Sequence, residues 1–482
     1  MSRNVMKPGW TAWRTMLRAM ALTCALPLAA HAQQTVYWRN GAGVVNWWDG
    51  ANPWYRSCDG WWIARPDYNT CGEASTIGAN IVHFDNGSDL TMTINGAYFQ
   101  VHQLIFDSGT GARTMTADGS GGIDMRSGSS TMKIENNDSD AQVLNAPVVL
   151  YGTTQINPVS GNLTFNQPIY VKDNWINVWG DNGKYLYLNG VVNADSGAGG
   201  VAVKQNSVVV LTNANTFTGG LWVEKGTVQL GNHTNAMGAG TISVGTNATL
   251  DLQHGTVSLR PVALNLYNGR VTKSVGDTIT YRGALTSYNS STVSVTDATL
   301  YFAGDFAISG GTLTFTNSVE AGQASGSTMT GSGTFAKDGA GVFRLYPGTH
   351  SGNISLNQGG IEQYPSAMTA SGTLTMGDGT KYRASGTTRT NTKAVVISGN
   401  VILSEGASTI MLYSGNINLN AGTRILTNTA DAVVSGVISN GGLSKAGSGT
   451  MVLSGANTYA LGTLVSAGVL EGTTTSLQGN IT

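Results

Sequence analysis

Acidic and amide side chains that could bind a cation are concentrated in one segment, Glu135-Asn136-Asn137-Asp138-Ser139-Asp140. Carboxylate and amide oxygens are the ligands that Ca²⁺ prefers. The segment lacks the Gly and the distal Glu of an EF-hand loop, and Gly121-Gly122-Ile123-Asp124 matches the calcium-binding nonapeptide only once. We therefore interpret the segment as a solvated turn, and the sequence predicts no metal and no cofactor.

Serine and histidine residues show no motif of nucleophilic catalysis. Asp107-Ser108-Gly109 and Asp195-Ser196-Gly197 are combinations that a chain rich in Gly, Ser and Asp contains without a G-x-S-x-G elbow. Gly180-Asp181-Asn182-Gly183-Lys184-Tyr185 lacks the spacing and the Ser/Thr of a phosphate-binding loop. The mature histidines stand singly, without metal-ligand spacing, at His83, His102, His233, His254 and His350. No catalytic residue is predicted.

The charge composition argues against two classes of partner. The chain has 26 Lys+Arg and 27 Asp+Glu, a net charge of -1, and only 11% charged residues. Nucleic acid and anionic membrane surfaces both require clustered cationic side chains, so neither is predicted as a partner. With 41% hydrophobic residues beside 65 Gly and 10 Pro, the composition favours a folded chain of many short strands and turns over disorder.

Residues 1–32 have the pattern of a secretory signal peptide. Basic residues precede an apolar run at 19–30, which ends in the small-x-small sequence Ala30-His31-Ala32. We place the cleavage after Ala32 and predict export by the Sec pathway. The run is too short and interrupted to span a bilayer, and no transmembrane segment is predicted in the mature chain.

Residues 33–89 differ from the rest by their tryptophans and cysteines. After signal removal only Cys58 and Cys71 remain, and in an oxidising compartment we expect them to form a disulfide rather than remain free thiols or bind a metal. We interpret the region as a cap over the first rung of a solenoid, pinned by that disulfide. The alternative use of the aromatic rings is glycan stacking, at Trp47, Trp48, Trp54, Trp61 and Trp62.

From residue 90 to residue 482 the chain repeats one local pattern. Short segments such as Thr241-Ile242-Ser243-Val244 and Thr312-Leu313-Thr314-Phe315 alternate Thr or Ser with a larger apolar residue and end at Gly, Asn or Asp. Period-2 alternation predicts half-buried strands, and no stretch of the mature chain has a convincing helical period. The mature protein should be almost entirely β.

Three longer segments also resemble one another, at 199–230, 333–362 and 441–472. With Leu211, Leu345 and Leu453 as reference points, a glycine follows at the same offset in each segment. A lysine precedes the leucine at one common offset in the last two segments and one position closer in the first. Such offsets predict stacked rungs of a right-handed parallel β-helix, with a sandwich array or a propeller as alternatives. At roughly 22 residues per rung and about 4.8 Å between paired strands, the β-helix would have on the order of 17 rungs.

The last segment resembles the autotransporter-associated β-strand repeat. The residues that match the repeat are Leu443, Lys445, Gly447, Gly449, Leu453, Asn457, Tyr459 and Gly468. Residues 201–230 match more weakly, and residues 336–362 more weakly still. The opening of the mature chain, around Trp47-Trp48-Asp49, also resembles the start of such passengers.

This resemblance implies a passenger of type V secretion. Such a passenger crosses the outer membrane of a Gram-negative cell through a translocation barrel and is displayed on the surface or released, and many members of the family are adhesins. Passengers are normally followed by a barrel, whereas this chain stops at Thr482 in what we expect to be mid-solenoid. Either the sequence is a fragment with the barrel in cis, or the protein leaves the cell without its own barrel.

The sequence therefore predicts an adhesin, autoaggregation or structural protein that binds glycans, a host surface or itself. The alternative is a secreted polysaccharide lyase or hydrolase, because enzymes on this fold assemble acidic and basic residues from neighbouring rungs. The low charge argues against a groove for acidic polysaccharides.

Overall fold

The computed structural model describes residues 34–38, 45–46, 54–58, 61–63, 80–84, 90–94, 98–117, 119, 121–126, 131–194, 197–231, 233–253, 257–365, 368–406 and 409–482. The regular structure in these ranges is β-strand. No helix among them is long and apolar enough to cross a membrane.

The chain winds into a β-solenoid of about 17 turns with parallel stacked coils, which confirms the predicted parallel β-helix. Successive coils place their strands on three faces. The first face carries a 15-stranded sheet. Its strands are Gln34–Trp38, Trp54–Cys58, Trp61–Ile63, Asn80–Phe84, Gln103–Phe106, Met132–Asn136, Thr154–Pro158, Trp175–Val178, Gly200–Val203, Gly220–Val223, Ile242–Val244, Leu264–Leu266, Leu285–Ser287, Phe306–Ile308 and Met329–Gly331. Five strands continue this face towards the C-terminus: Arg389–Asn391, Ile410–Tyr413, Asp431–Val434, Thr450–Leu453 and Val469–Gly472.

The second face begins with the short strand Val45–Asn46 and follows the first face along each coil. Its further strands are Leu90–Ile94, Arg113–Ala117, Gln142–Asn145, Leu163–Phe165, Tyr185–Leu188, Val208–Leu211, Gly226–Leu230, Ala248–Leu252, Arg270–Lys273, Ser291–Val295, Thr312–Asn317, Thr334–Asp338, Ile354–Leu356, Thr373–Met376 and Ala394–Ile397.

The third face closes each coil. Its strands are Tyr98–Val101, Gly122–Met125, Val148–Leu150, Ile169–Tyr170, Val192–Asn193, Val257–Leu259, Ile279–Tyr281, Leu300–Phe302, Ala321–Gln323, Val342–Leu345, Gly360–Gln363, Lys381–Ala384, Val401–Ser404 and Thr463–Val465. Two long strands, Ile417–Asn428 and Ile438–Ala446, begin on the second face and end on the third. They turn the corner where Asn420 and Asn440 adopt positive φ angles of 50° and 56°, a conformation that Asn tolerates.

Pairing between many of the neighbouring coils follows a similar step along the chain. Ile134 pairs with Ile156 and Ile156 with Val178, which are two equal steps along the sequence. The step from Leu285 to its partner Phe306 is shorter by a single position. Because the same side chains of consecutive coils point inward, apolar residues stack in columns and form one continuous core.

Aromatic packing fills the core in the middle of the solenoid. Phe315, Phe335 and Phe343 are fully buried, and Phe343 lies with ring centroids 4.8 Å from Phe315 and 4.7 Å from Phe335. Burying one such side chain stabilises the fold by about 1.5–3 kcal/mol.

On the outside of the solenoid, asparagine side chains form a ladder between coils. The amide of Asn166 donates to the side-chain carbonyl of Asn145 at 2.7 Å, and the amide of Asn189 donates to that of Asn166 at 2.9 Å.

The N-terminal strands extend the first sheet at its edge. Gln34–Trp38 pairs in parallel with Asn80–Phe84 and antiparallel with Trp54–Cys58, which in turn pairs with Trp61–Ile63. The signal peptide with Ala32, Cys71, Trp47 and Trp48 lie outside the described residues, and so do the side chains of Cys58, Trp54, Trp61 and Trp62. The disulfide, the cap and the tryptophan stacking site therefore stay predictions.

Candidate binding face and repeat segments

A buried asparagine joins three successive coils in the segment 441–472. The side-chain carbonyl of Asn457 accepts a hydrogen bond from the N–H of Ile438 at 2.7 Å, and its amide donates to the carbonyl of Ser476 at 2.5 Å. Ile438 lies on the preceding coil and Ser476 on the following one. Asn457 therefore fixes the stacking of the coils rather than offering an exposed chemical group.

Asn215 makes the same contacts in the segment 199–230. It accepts from the N–H of Val192 at 2.8 Å and donates to the carbonyl of Ala236 at 2.6 Å, and it is fully buried. Two residues beyond each asparagine an aromatic ring enters the core, Phe217 here and Tyr459 in the last segment. The asparagine and the aromatic residue thus have one structural role in both segments.

The repeat lysine is also a structural residue. Lys445 is fully buried, and its ammonium donates to the carbonyls of Ala446 at 3.0 Å, Gly447 at 2.7 Å and Ala467 at 3.0 Å. Ala446 ends its strand, and Gly447 and Ala467 lie in bends on two neighbouring coils. Lys445 therefore supplies hydrogen-bond donors to backbone carbonyls at a corner of the solenoid, where buried acceptors need a partner.

Lys337 repeats this arrangement in the segment 333–362. Its ammonium donates to the carbonyls of Asp338 and Gly339 at 2.7 Å and of Gln358 at 3.4 Å. The turn glycines are equally constrained: Gly339 has φ 77° and Gly447 φ 83°. The corner geometry is therefore shared by two segments that lie on different faces.

Burial of Lys337 predicts a pH-dependent stability. Burial lowers the pKa of Lys337 from 10.5 to about 8, against the raising effect of Asp338. Between pH 8 and pH 10.5 the unfolded chain therefore binds more protons at this lysine than the folded chain does. Because of this difference, the free energy of unfolding rises as the pH rises through that window. We expect urea unfolding to show a larger loss of stability for Lys337→Met at about pH 9.5 than at about pH 7.5. Equal losses at the two pH values would contradict the lowered pKa.

The three repeat segments start on different faces of the solenoid. The strand that opens the segment lies on the first face at Gly200–Val203, on the second at Thr334–Asp338, and on the third at the end of Ile438–Ala446. The repeat therefore specifies a strand, a turn and the next strand, whichever face the chain has reached.

Lys204 differs from the other two repeat lysines. The position in the first segment that corresponds to Lys337 and Lys445 is Val203, which is fully buried. Lys204 is the next residue and points outward, because side chains alternate along the chain. Its ammonium lies 2.5 Å from the Glu224 carboxylate and 4.2 Å from the centre of the Trp222 ring. The lysine of the first segment thus belongs to the outer surface.

Four exposed aromatic rings on the first face form the best candidate for a binding surface. Trp179, Trp222, Tyr267 and Tyr288 are 38%, 47%, 39% and 41% exposed, and we call this surface the aromatic face. Tyr267 and Tyr288 stack with ring centroids 4.7 Å apart and planes 2° apart. Exposed aromatic rings grouped on one side make this face a candidate interaction surface.

Polar groups accompany the aromatic face on the same strands. Trp222 pairs in register with Ser243, Ser243 with Asn265, and Asn265 with Thr286. Between Trp222 and Tyr267 the surface opens into a groove of about 580 Å³. The face therefore combines flat apolar rings with neutral hydroxyl and amide groups.

Among the described residues, the largest group of paired acidic and basic side chains is a charged ladder on the third face. Arg383 donates to Glu362 at 2.9 Å and to Glu405 at 2.8 Å, and Lys381 contacts Glu405 at 3.0 Å. Burial raises the pKa of Glu405, but hydrogen bonds and charge from Lys381 and Arg383 outweigh it and the net pKa is lowered. The Glu405 carboxylate is therefore held ionised, whereas a glycosidase acid needs a raised pKa.

The acidic segment at 135–140 forms a turn that is held by hydrogen bonds between its own side chains and backbone. The side chain of Asn136 accepts from the N–H of Asp138 at 3.0 Å and donates to the carbonyl of Asp140 at 2.9 Å. The carboxylate of Asp138 accepts from the N–H of Asp140 at 2.8 Å. In the described part of the chain, no three His, Cys, Asp or Glu side chains are placed to hold a metal ion.

Comparison with known proteins identifies the repeats. The passenger-associated-transport-repeat family matches residues 207–230 and 443–471, which contain Asn215 and Asn457. No curated protein and no solved structure matches the chain. The third segment predicted from the sequence, 333–362, lies outside both matches although Lys337 reproduces the Lys445 corner.

The repeats and the β-solenoid together fit an autotransporter passenger with β-strand repeats, as the sequence predicted. In autotransporters such repeats imply association with a translocation barrel and a location at the Gram-negative cell surface or in the medium.

The site residues predicted from the repeat lie together, but in the interior. Leu443, Lys445, Leu453 and Tyr459 are buried in the last coils. The residues that form the aromatic face were not among the predicted contacts, which were placed on N-terminal tryptophans. The one signal for them in the sequence is that Tyr267 and Tyr288 stand one coil step apart, as the paired residues Leu264 and Leu285 do.

Proposed function

We propose that the protein is a non-catalytic adhesin passenger that binds glycans, including those of a host surface, or further copies of itself through the aromatic face. The observation that carries this proposal is the alignment of Trp179, Trp222, Tyr267 and Tyr288 on one side of a long parallel solenoid. Exposed rings are costly to keep in water and suit stacking on the apolar face of a sugar.

The architecture supports binding by many weak contacts. Stacked coils hold the four rings and their polar neighbours at fixed separations, so a long ligand loses little freedom with each further contact once the first is made. The nearly balanced charge, 26 Lys+Arg against 27 Asp+Glu, means little long-range repulsion between copies. Both properties favour adhesion or autoaggregation over recognition of a charged polymer.

Removing the rings tests the proposal. We expect the variant Trp179→Ala/Trp222→Ala/Tyr267→Ala/Tyr288→Ala of the full chain, attached to beads, to reduce retention on glycan-coated surfaces and bead clustering by about tenfold or more. The rings are exposed, so thermal unfolding should change little.

The matched control removes a stacked tyrosine pair elsewhere. Tyr346 and Tyr364 lie with ring centroids 4.9 Å apart at the edge of the third face. Tyr346→Ala/Tyr364→Ala should leave retention and clustering within about twofold of the wild type. Equal behaviour of the two variants in both assays would rule out the aromatic face as the adhesive surface.

A further inference from the structure

We infer that Gly245 opens a subsite for one neutral pyranose ring on the aromatic face, with Trp222 and Tyr267 as its two walls. This inference rests on the proposed function and names the ligand class of that same surface.

The position of Gly245 follows from the hydrogen bonds between coils. Gly245 donates its N–H to the carbonyl of Val223 at 2.8 Å, and Tyr267 donates its own to that of Val244 at 2.8 Å. Gly245 therefore lies on the coil between those of Trp222 and Tyr267. Those two coils are separated by two strand spacings, about 9–10 Å. The strand registers place Tyr267 beside Gly245, and they place Trp222 opposite Ser243, two positions earlier on the coil of Gly245. Gly245 itself adds only a hydrogen to the groove that these residues line.

The two aromatic walls each have one free face. The Lys204 ammonium, from the coil before, lies 4.2 Å from the centre of the Trp222 ring. On the other side of the gap, Tyr288 from the following coil stacks on Tyr267 at 4.7 Å. Both rings line the groove that contains Gly245. Since stacked carbon atoms lie about 3.5–4 Å apart, the gap accepts one ring.

The polar lining indicates which kind of ring fits. Glu224, Ser243 and Thr246 complete the groove, and they can accept from and donate to sugar hydroxyls. Glu224 is ion-paired with Lys204 at 2.5 Å, so the lining carries no unbalanced positive charge for a uronate or sialate. A planar neutral aromatic ligand would leave these polar groups unpaired. The combination favours a neutral pyranose.

The backbone does not explain the glycine at this position. Gly245 has no positive φ, and an added Cβ would lie 3.2 Å from the carbonyl oxygen of Glu224. Gly377 has the same local setting: its N–H donates to Leu356 at 2.8 Å, and an added Cβ would lie 3.0 Å from the carbonyl oxygen of Asn357. A large side chain at either position thus meets similar local constraints, but only the one at 245 would fill the groove.

The test compares Gly245→Phe with Gly377→Phe in the full chain. Binding of cellohexaose, chitohexaose and the acidic hexagalacturonate is measured by calorimetry. We expect the wild type to bind at least one neutral hexasaccharide and to prefer it over hexagalacturonate. Gly245→Phe should weaken that binding by about tenfold or more, while Gly377→Phe stays within about twofold. Trp222→Ala, at an exposed position, should weaken binding similarly without affecting the backbone.

The subsite is wrong if neither neutral hexasaccharide binds, if hexagalacturonate binds equally well, or if Gly245→Phe and Trp222→Ala both bind as the wild type does. Unchanged hexasaccharide binding in these two variants, together with loss of adhesion in the four-ring variant, would reject the subsite and leave the proposed function in place. Unchanged adhesion in the four-ring variant would reject both.

Discussion

Replacing Asn215 with Ala is expected to lower the free energy of unfolding by about 3 kcal/mol, because two buried backbone groups lose their partners. The N–H of Val192 and the carbonyl of Ala236 belong to different coils and are bridged by this one side chain. An unsatisfied buried polar group costs about 1–3 kcal/mol, and the shortened side chain also leaves a cavity. The loss should weaken the contact between neighbouring coils rather than one strand alone.

Chemical denaturation and hydrogen exchange measure this effect. Exchange of the amides of Val192 and of the coil around Ala236 should accelerate in Asn215→Ala. Asn206→Ala is the control, because Asn206 is exposed in a turn of the same repeat segment. That variant should unfold within about 0.5 kcal/mol of the wild type. A loss below about 1 kcal/mol for Asn215→Ala would show that this asparagine does not hold the coils together.

Replacing Gly447 with Ala is expected to have a comparably large effect, about 3 kcal/mol or more, since two costs add. Gly447 has φ 83°, a left-handed conformation that costs other residues about 1–2 kcal/mol. A Cβ there would also lie 2.3 Å from the carbonyl oxygen of Asn428 on the preceding coil. The preceding coil must then shift, and the carbonyl contact of Lys445 with Gly447 is disturbed.

Gly183→Ala separates the two costs. Gly183 has φ 75° but no atom within 4 Å of an added Cβ, so this variant should lose only about 1–2 kcal/mol. Limited proteolysis of Gly447→Ala should cut first within the last coils, while Gly183→Ala should keep the wild-type pattern. Similar unfolding energies for the two variants would mean that the corner has room to adjust and that the close stacking is not required.

The architecture could be predicted because its rule is local. Alternation of Thr with apolar residues decides which side chains face inward, and a coil that cannot bury that side alone must stack on its neighbours. The expected coil length is reproduced by Ile134, Ile156 and Val178 with their equal steps along the chain.

The role of individual repeat residues was harder to predict, because a shift by a single position reverses the side of the chain. Lys204 stands one position closer to its leucine than Lys337 and Lys445 do, and this difference moves it from the core to the aromatic face. The glycine at the common offset from the leucine has a positive φ in two segments, at Gly226 and Gly468. In the segment 333–362 the positive φ belongs to Gly359 rather than to Gly360. An alignment of the repeat sequences cannot decide such a one-residue offset, whereas the hydrogen-bond register between strands can.

The aromatic face could not be predicted from spacing, because coil length varies. The step from Gln103 to its partner Lys133 is much longer than the step from Val342 to its partner Gly360. Residues that lie in one column are therefore separated by unequal distances in the sequence. The role of Gly245 is also ambiguous in the sequence, because a glycine at the end of a strand is typical of a turn. The groove becomes visible only when the residues of the preceding and following coils are placed beside it.

Oxidative footprinting of the full chain, free and bound to glycan-coated beads, tests the central claim most directly. Hydroxyl radicals modify exposed aromatic rings, so each ring reports its own burial on binding. The account predicts protection of Trp179, Trp222, Tyr267 and Tyr288 on the beads, with Tyr346 and Tyr364 unchanged. Protection confined to other surfaces, with these four rings as reactive as in the free chain, would contradict it.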